Sequence, residues 1–396
     1  MMKKTVLILM VLIICIAAAG GVWSIFQRNL SEESSEFAPR SLSEPPLSAA
    51  EAALQEMTPE EKVAQLFLVR PEAPRRDATE ATAVTVLDEE LRQTLTDYPV
   101  GGVALFQQNI ENPDQVKRLT AGLAEAEKIF PFISVDEEGG EVSRLAKNEA
   151  FALPRYESMA AIGATENPSE AEQAGETIGA YLREYGFHLN FAPVADVNTA
   201  SDHPVIGDRS FGGDPQLVAD MACAAIDGFH SQNIITCAKH FPGHGDTAAD
   251  THQGYVSLEK TWEELEDCEL IPFRAAAAKT DMIMVAHITV PPVTEDDLPA
   301  SLSHEMITER LRGELGYDGV VITDALEMDA VTEHYTAAQS AVLALSAGVD
   351  LLLMPSDFFA AYEGVLAATA EGVLTEERIN ESVLRVLRLK EAYHLL

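Results

Sequence analysis

The chain has 396 residues, 47% of them apolar, enough to bury a large core, which excludes disorder as the default state. Acidic residues outnumber basic ones 64 to 27, a formal charge of -37, and no Lys/Arg-rich patch interrupts the excess. Nucleic acid is therefore not an expected partner, because its binding rests on cations that neutralise phosphates.

Residues 1–28 differ in kind from the rest. Lys3 and Lys4 precede an apolar run from Thr5 to Phe26 in which only Thr5 and Ser24 are polar. As a helix the run is about 33 Å long, enough to cross a bilayer. The lysines favour a cytoplasmic N-terminus, so the body is expected outside, at the outer face of the cell membrane or secreted. Ala17-Ala18-Ala19 also suits signal-peptidase cleavage, so an uncleaved membrane anchor and a removed signal peptide both stay open. A lipid anchor on Cys15 fits less well, because bulky Ile14 precedes it. Residues 29–50 are rich in Ser, Glu and Pro, the composition of a disordered linker, and the body is expected over 51–396.

Within the body, Thr58 and Glu61 form a capping box. Asn112-Pro113, Asn167-Pro168 and Asp214-Pro215 each put a capping residue before a proline suited to a first helical turn. Between these openings lie eight short apolar runs, at 63–69, 101–106, 132–138, 188–197, 234–241, 281–288, 319–326 and 349–355. Continuous apolar runs suit strands buried on both faces. Eight βα units predict an α/β fold, a single (β/α)8 barrel of the TIM type, with an open doubly wound sheet as the competitor. Cys223, Cys237 and Cys268 show no metal-like spacing and are expected as small core residues.

Polar residues gather at the C-terminal ends of the runs: Asp136, Asp196, Lys239 with His240, His287 and Asp324. In a barrel those ends meet on one face, where active sites form, so this placement points to an enzyme. Asp324, in "VVITDALEM", would reach the barrel mouth, where a carboxylate can attack an anomeric carbon; a helix N-cap is the alternative. Asp136 and Arg144, in "VDEEGGEVSRL", could hold sugar hydroxyls or simply pair with each other, and Gly139-Gly140 would make a tight turn between them. Arg209, in "HPVIGDRSFGGD", offers a fork of donors to a hydroxyl-rich or acylated ligand, or is an ordinary surface arginine.

The stretch "KHFPGHGDTAADTHQG" ends the fifth run with Lys239 and His240, then continues as a Gly/Pro-rich loop carrying Asp250 and His252. A carboxylate two residues from an imidazole can fix its tautomer on a bent loop, giving an acid/base group for a nucleophilic Asp324. His244, Asp246, Asp250 and His252 could instead ligate a metal, although such a flexible loop fixes ligands poorly.

Together "DEEGG", "FAPVADV", "VIGDRSF", "KHFPGHGDTAADTH" and "ITDALEM" resemble glycoside hydrolase family 3 and its β-N-acetylhexosaminidase branch, over roughly residues 55–390. The resemblance implies a retaining mechanism with Asp324 as nucleophile and His252, oriented by Asp250, as acid/base. It also implies that Asp136, Arg144, Arg209, Lys239 and His240 hold the terminal sugar, and that His244 and Asp246 are loop structure. Other branches take a glutamate from a second domain, for which the chain ends too early at Leu396. Glu141 stands where the branch usually has Arg, and Thr251 where it commonly has Ser. The expected function is an exported exo-β-N-acetylglucosaminidase acting on cell-wall or chitin-type fragments, with no metal or organic cofactor. Phosphorolysis of the same bond and a non-catalytic sugar-binding barrel are the alternatives.

Overall fold

The structure, a computed structural model, describes residues 47–75, 83–126, 128–199, 205–246 and 256–396. The expected anchor or signal and most of the expected linker lie outside the described residues. Ser48–Leu396 is one compact unit. Its first helix, Ala49–Glu56, opens on a Ser48/Glu51 capping box just ahead of position 51.

Eight parallel strands carry this unit: β1 (Phe67–Val69), β2 (Gly102–Leu105), β3 (Phe132–Val135), β4 (Leu189–Asn190), β5 (Ile235–Phe241), β6 (Met282–Val285), β7 (Val320–Thr323) and β8 (Leu352–Leu353). From β2 to β7 each strand pairs with the one before it in sequence, and β8 pairs with β1. The seam between β7 and β8 is held by a bridge at Ile322 and Leu351 and by the Thr323 N–H donating to the Leu351 carbonyl at 3.1 Å. The sheet is thus a nearly closed barrel with helices outside it, consistent with the TIM type.

All eight apolar runs contain a strand, but the strands are shorter than the runs. The run at 63–69 is the clearest correction: Val63 and Ala64 belong to the helix Pro59–Ala64, and pairing starts at Phe67. The Thr58/Glu61 box explains this, since the Thr58 hydroxyl accepts the Glu61 N–H at 3.2 Å and the Glu61 carboxylate accepts the Thr58 N–H at 2.8 Å, which commits the following residues to helix. Asn112, Asn167 and Asp214 cap helices whose first residue is the expected proline.

Strand period two sorts the side chains. Leu68, Ala104, Phe132, Leu189, Ile235 and Ile322 fill the barrel interior, while Phe67, Val103, Ile133, Ile283 and Val321 pack outward under the helices. The last helix, Glu376–Ala392, closes the end of the barrel where the strands begin. Val386 and Leu395 join the interior cluster, and the Tyr393 hydroxyl donates to Asp281, just before β6, at 2.9 Å. Lys390, fully buried, donates to Gln65 at 2.8 Å with its ammonium 5.1 Å from the centre of the Phe132 ring. Among the described residues no helix is long and apolar enough to cross a membrane, and Cys223, Cys237 and Cys268 are free thiols, the second fully buried.

Candidate active site

The inward period runs up to and past the C-terminal ends of the strands. Phe132 and Ser134 lead to Asp136 and then Glu138; Ile235 and Cys237 lead to Lys239; Val320 and Ile322 lead to Asp324. All four charged groups line one cavity of about 270 Å³ at the C-terminal mouth, together with Arg144, Arg209, His240 and His244. That is slightly below the roughly 300–1,000 Å³ of sites for drug-sized ligands, and suits one small polar ring. A larger cleft of about 550 Å³ opens at the other end of the barrel, but there Arg385 pairs with Asp318 and Glu381, so size alone does not mark the site.

Lys239 is the centre of the charge cluster. Its ammonium lies 2.7 Å from Asp136 Oδ1 and 2.7 Å from Glu138 Oε1. Burial pushes the ammonium's pKa down, but these two carboxylates outweigh it and hold the pKa above its usual value. Arg209 grips Glu138 with two bonds, Nε to Oε2 at 2.9 Å and Nη2 to Oε1 at 2.7 Å. Burial raises the Glu138 carboxyl, yet Lys239 and Arg209 together hold it well below the usual carboxylate range. Arg209 is therefore a structural member of the mouth rather than a surface arginine.

Arg144 is held differently. Its guanidinium is 3.7 Å from Asp136 and 5.7 Å from the centre of the Phe106 ring, and its Nε is buried without a hydrogen-bond partner. Its loose contact with Asp136 leaves donors for a ligand. The segment that presents it is folded by Glu137, a fully buried carboxylate that accepts the N–H groups of Arg144, Leu145 and Ala146 at 2.6–2.9 Å and the Tyr181 hydroxyl at 2.9 Å. Upstream, Gly139 and Gly140 take φ of 94° and 64° and turn the chain between Glu137–Gly139 and Val142–Ser143, an antiparallel pair.

Asp324 stands half-buried at the cavity wall, its Oδ1 accepting the Ala325 N–H at 2.8 Å. Burial pushes its carboxyl up, but His240, His287, the Ala325 N–H and Lys239 outweigh burial and keep the pKa below the usual value. The alternative role as a helix cap does not hold, because the next helix is Asp329–Thr332 and Met328 precedes it. Asp324 is thus a partly shielded carboxylate, held toward its ionised form, facing the cavity that Lys239, Arg209 and Arg144 also line.

His240 donates from Nδ1 to Asp196 Oδ2 at 2.7 Å, and its Nε2 lies 3.4 Å from Arg209 Nη2. Asp250 and His252, the expected acid/base pair, lie outside the described residues. On the near side of that segment, Asp246 is engaged by Lys260 at 2.6 Å and Thr199 at 2.8 Å, and the His244 N–H donates to Asp196 at 2.7 Å. Among the described residues no group of three His, Cys, Asp or Glu is placed to hold a metal ion.

Six of the expected site residues thus share one cavity: Asp136, Arg144, Arg209, Lys239, His240 and Asp324. Three carboxylates were missing from the expected site: Glu138 and Glu327, which line the cavity, and Asp196, which accepts from His240. Glu138 was findable as the next inward position after Asp136; Asp196 was visible as a polar strand-end residue, but its partner is set by tertiary structure.

The profile of the Glycosyl hydrolase family 3 N terminal domain matches residues 58–389. The chain belongs to glycoside hydrolase family 3. Among solved structures it is similar to a family 3 beta-N-acetylglucosaminidase from Paenibacillus sp., at 38% identity and a TM-score of 0.79, over 86% of this chain and 63% of that one. It is 33% identical over 334 residues to beta-hexosaminidase A of Pseudoalteromonas piscicida, covering 78% of this chain and 56% of the relative. It is 38% identical over 277 residues to a beta-hexosaminidase of Pseudomonas aeruginosa, covering 69% of this chain and 80% of that one. The chain therefore spans about half the length of the Pseudoalteromonas relative and under two thirds of the Paenibacillus chain.

Proposed function

We propose that this chain is a retaining exo-β-N-acetylglucosaminidase. The observation that carries the reading is Asp324, ionised at the wall of a cavity sized for one ring, opposite a cluster of Lys239, Arg209, Arg144, Asp136 and His240 suited to sugar hydroxyls. The names of the relatives, beta-hexosaminidase and beta-N-acetylglucosaminidase, support the choice of sugar.

In this mechanism an Asp324 oxygen attacks C1 of the terminal sugar as the bond to the leaving oxygen breaks, and His252, oriented by Asp250, gives that oxygen its proton. His252 then takes a proton from water, whose oxygen displaces Asp324 at C1 and frees the sugar with net retention. The apolar run from Thr5 to Phe26 supports a body carried outside the membrane, tethered or secreted, and there terminal N-acetylglucosamine of cell-wall fragments is the substrate we infer.

Release of chromophore from aryl N-acetyl-β-glucosaminide and aryl β-glucoside, each with and without phosphate, tests the reading. Preference for the N-acetyl sugar with free sugar as product is expected; sugar phosphate as product would make the chain a phosphorylase. Asp324→Ala should lower turnover on the order of 10³-fold or more while the protein still folds, and retention of most activity would remove Asp324 from the mechanism.

A further inference from the structure

We propose that Asp196 is a positioning residue that fixes His240 as its neutral Nδ1–H tautomer, so that Nε2 offers a lone pair into the cavity and the site reads one sugar hydroxyl as a hydrogen-bond donor. The hydroxyl part rests on the sugar-binding reading above; the tautomer part rests on the protein alone.

Asp196 lies between the strand-end loop after β4 and the end of β5 and is fully buried. One of its oxygens accepts His240 Nδ1–H at 2.7 Å, the other accepts the His244 N–H at 2.7 Å, and both are 3.2 Å from the His240 N–H. Burial pushes this carboxyl up, but His240 and the other donors outweigh it and keep it ionised. An ionised carboxylate only accepts, so the proton on the His240 ring sits at Nδ1. On the other side of the ring, the Arg209 guanidinium lies 3.4 Å from Nε2, and a guanidinium only donates. A second ring proton there would set two donors against each other beside a fixed cation. The ring is thus bracketed, acceptor on one side and donor on the other, and only the Nδ1–H neutral form satisfies both.

The consequence for binding follows from what surrounds that lone pair. Lys239, Arg209 and Arg144 are all donors; Glu138 has both oxygens committed to Lys239 and Arg209, Asp136 gives one oxygen to Lys239, and beside the charged acceptors Asp136 and Asp324 of the same cavity Nε2 adds a neutral one. A sugar hydroxyl that accepts from one of these cations must still place its own proton. The 3.4 Å contact from Arg209 is long, so Nε2 keeps capacity for a shorter bond from that hydroxyl. A neutral acceptor between cations selects a hydroxyl, which can both accept and donate, over a group of the same size that only accepts.

Asp196→Asn makes the cleanest test because it is isosteric. Its single carbonyl oxygen would be claimed by the backbone N–H groups, leaving its amide to donate to Nδ1, which moves the ring proton to Nε2. The ring nitrogens are read by ¹⁵N NMR of the histidine-labelled full-length protein, with His240→Phe assigning the signals. Protonated Nδ1 and bare Nε2 are expected at neutral pH in the wild type, and the reverse in Asp196→Asn. Kinetics then use aryl N-acetyl-β-glucosaminides carrying fluorine in place of the 3-, 4- or 6-hydroxyl. One of the three should lose roughly 5- to 150-fold in kcat/KM, mostly through KM, and that penalty should shrink to within a few-fold in Asp196→Asn and in His240→Phe.

A protonated Nε2 in the wild type overturns the proposal, as does a fluorine penalty that survives both substitutions. If Asp196→Asn does not fold, the wild-type resonances and the His240→Phe kinetics still decide it. If no N-acetylglucosaminide is turned over, the proposed function fails and takes the hydroxyl part with it, while the resonances independently uphold or refute the tautomer.

Discussion

Replacing Glu138 with Ala would leave Lys239 and the Arg209 guanidinium buried together without the carboxylate that both grip. The side chain of Glu138 is 1% exposed, so water cannot take its place. Removing one partner of a buried ion cluster costs about 3–5 kcal/mol, and Glu138→Ala should lose that much in urea unfolding of the full chain. Glu138→Gln, which keeps the shape and one acceptor, should lose less. If the two variants cost the same small amount, the cluster is not what holds the mouth together. The same residue marks how far the site was legible. Asp136 was readable because it comes directly after the largely apolar residues 132–135 at the C-terminal end of its run. Glu138 is as strictly placed by the strand period, but a third acidic residue in "DEEGG" looks like surface charge until Lys239 and Arg209 arrive from later units. Asp196 poses the same difficulty, since its partners His240 and His244 are more than forty positions away.

At the scale of an element, the turn at Gly139-Gly140 shows sequence acting through backbone geometry. Gly140 has φ of 64°, and a Cβ there would sit 2.8 Å from the Ser158 Cα, a backbone atom that cannot swing away. Gly140→Ala should therefore cost roughly 1–3 kcal/mol in stability. It should also raise KM, because the turn and Glu137 together aim Arg144. An alanine variant with unchanged KM would separate the turn from Arg144. The two glycines made this turn foreseeable, but the ends of the strands were harder. At 63–69 the capping box and the apolar run compete for the same residues, and the helix wins Val63 and Ala64. At 188–197 the pairing seen is Leu189–Asn190 with a lone bridge at Val194, because Pro193 has no N–H to add to a ladder. An apolar run thus locates a parallel strand well and measures it poorly.

For the whole molecule, acid should expose two opposing effects. With a formal charge of -37 at neutral pH, the folded chain repels itself, and protonating surface carboxylates relieves that repulsion as pH falls. Buried imidazoles act the other way. His188 beside Phe130 is pushed down to about 4 by burial and then by Arg183; its Nδ1 is buried without a hydrogen-bond partner. Its unfolded value is 6.5, so between these limits the unfolded chain binds the proton and the folded chain does not. The stability contributed by keeping the ring neutral is therefore complete above about pH 6.5 and drains away as pH falls toward 4. His244 is also pushed down to about 4, by burial and by His240, and adds in the same direction. Total stability against pH cannot separate these effects from surface charge, but a difference can. His188→Phe keeps an aromatic ring against Phe130 and removes only the titration, so surface repulsion is common to both proteins. Between pH 7 and 4.5 the wild type should lose up to about 2 kcal/mol more than His188→Phe in urea unfolding. Parallel losses would mean that His188 takes up its proton within the fold, and that acid stability is governed by the carboxylates alone.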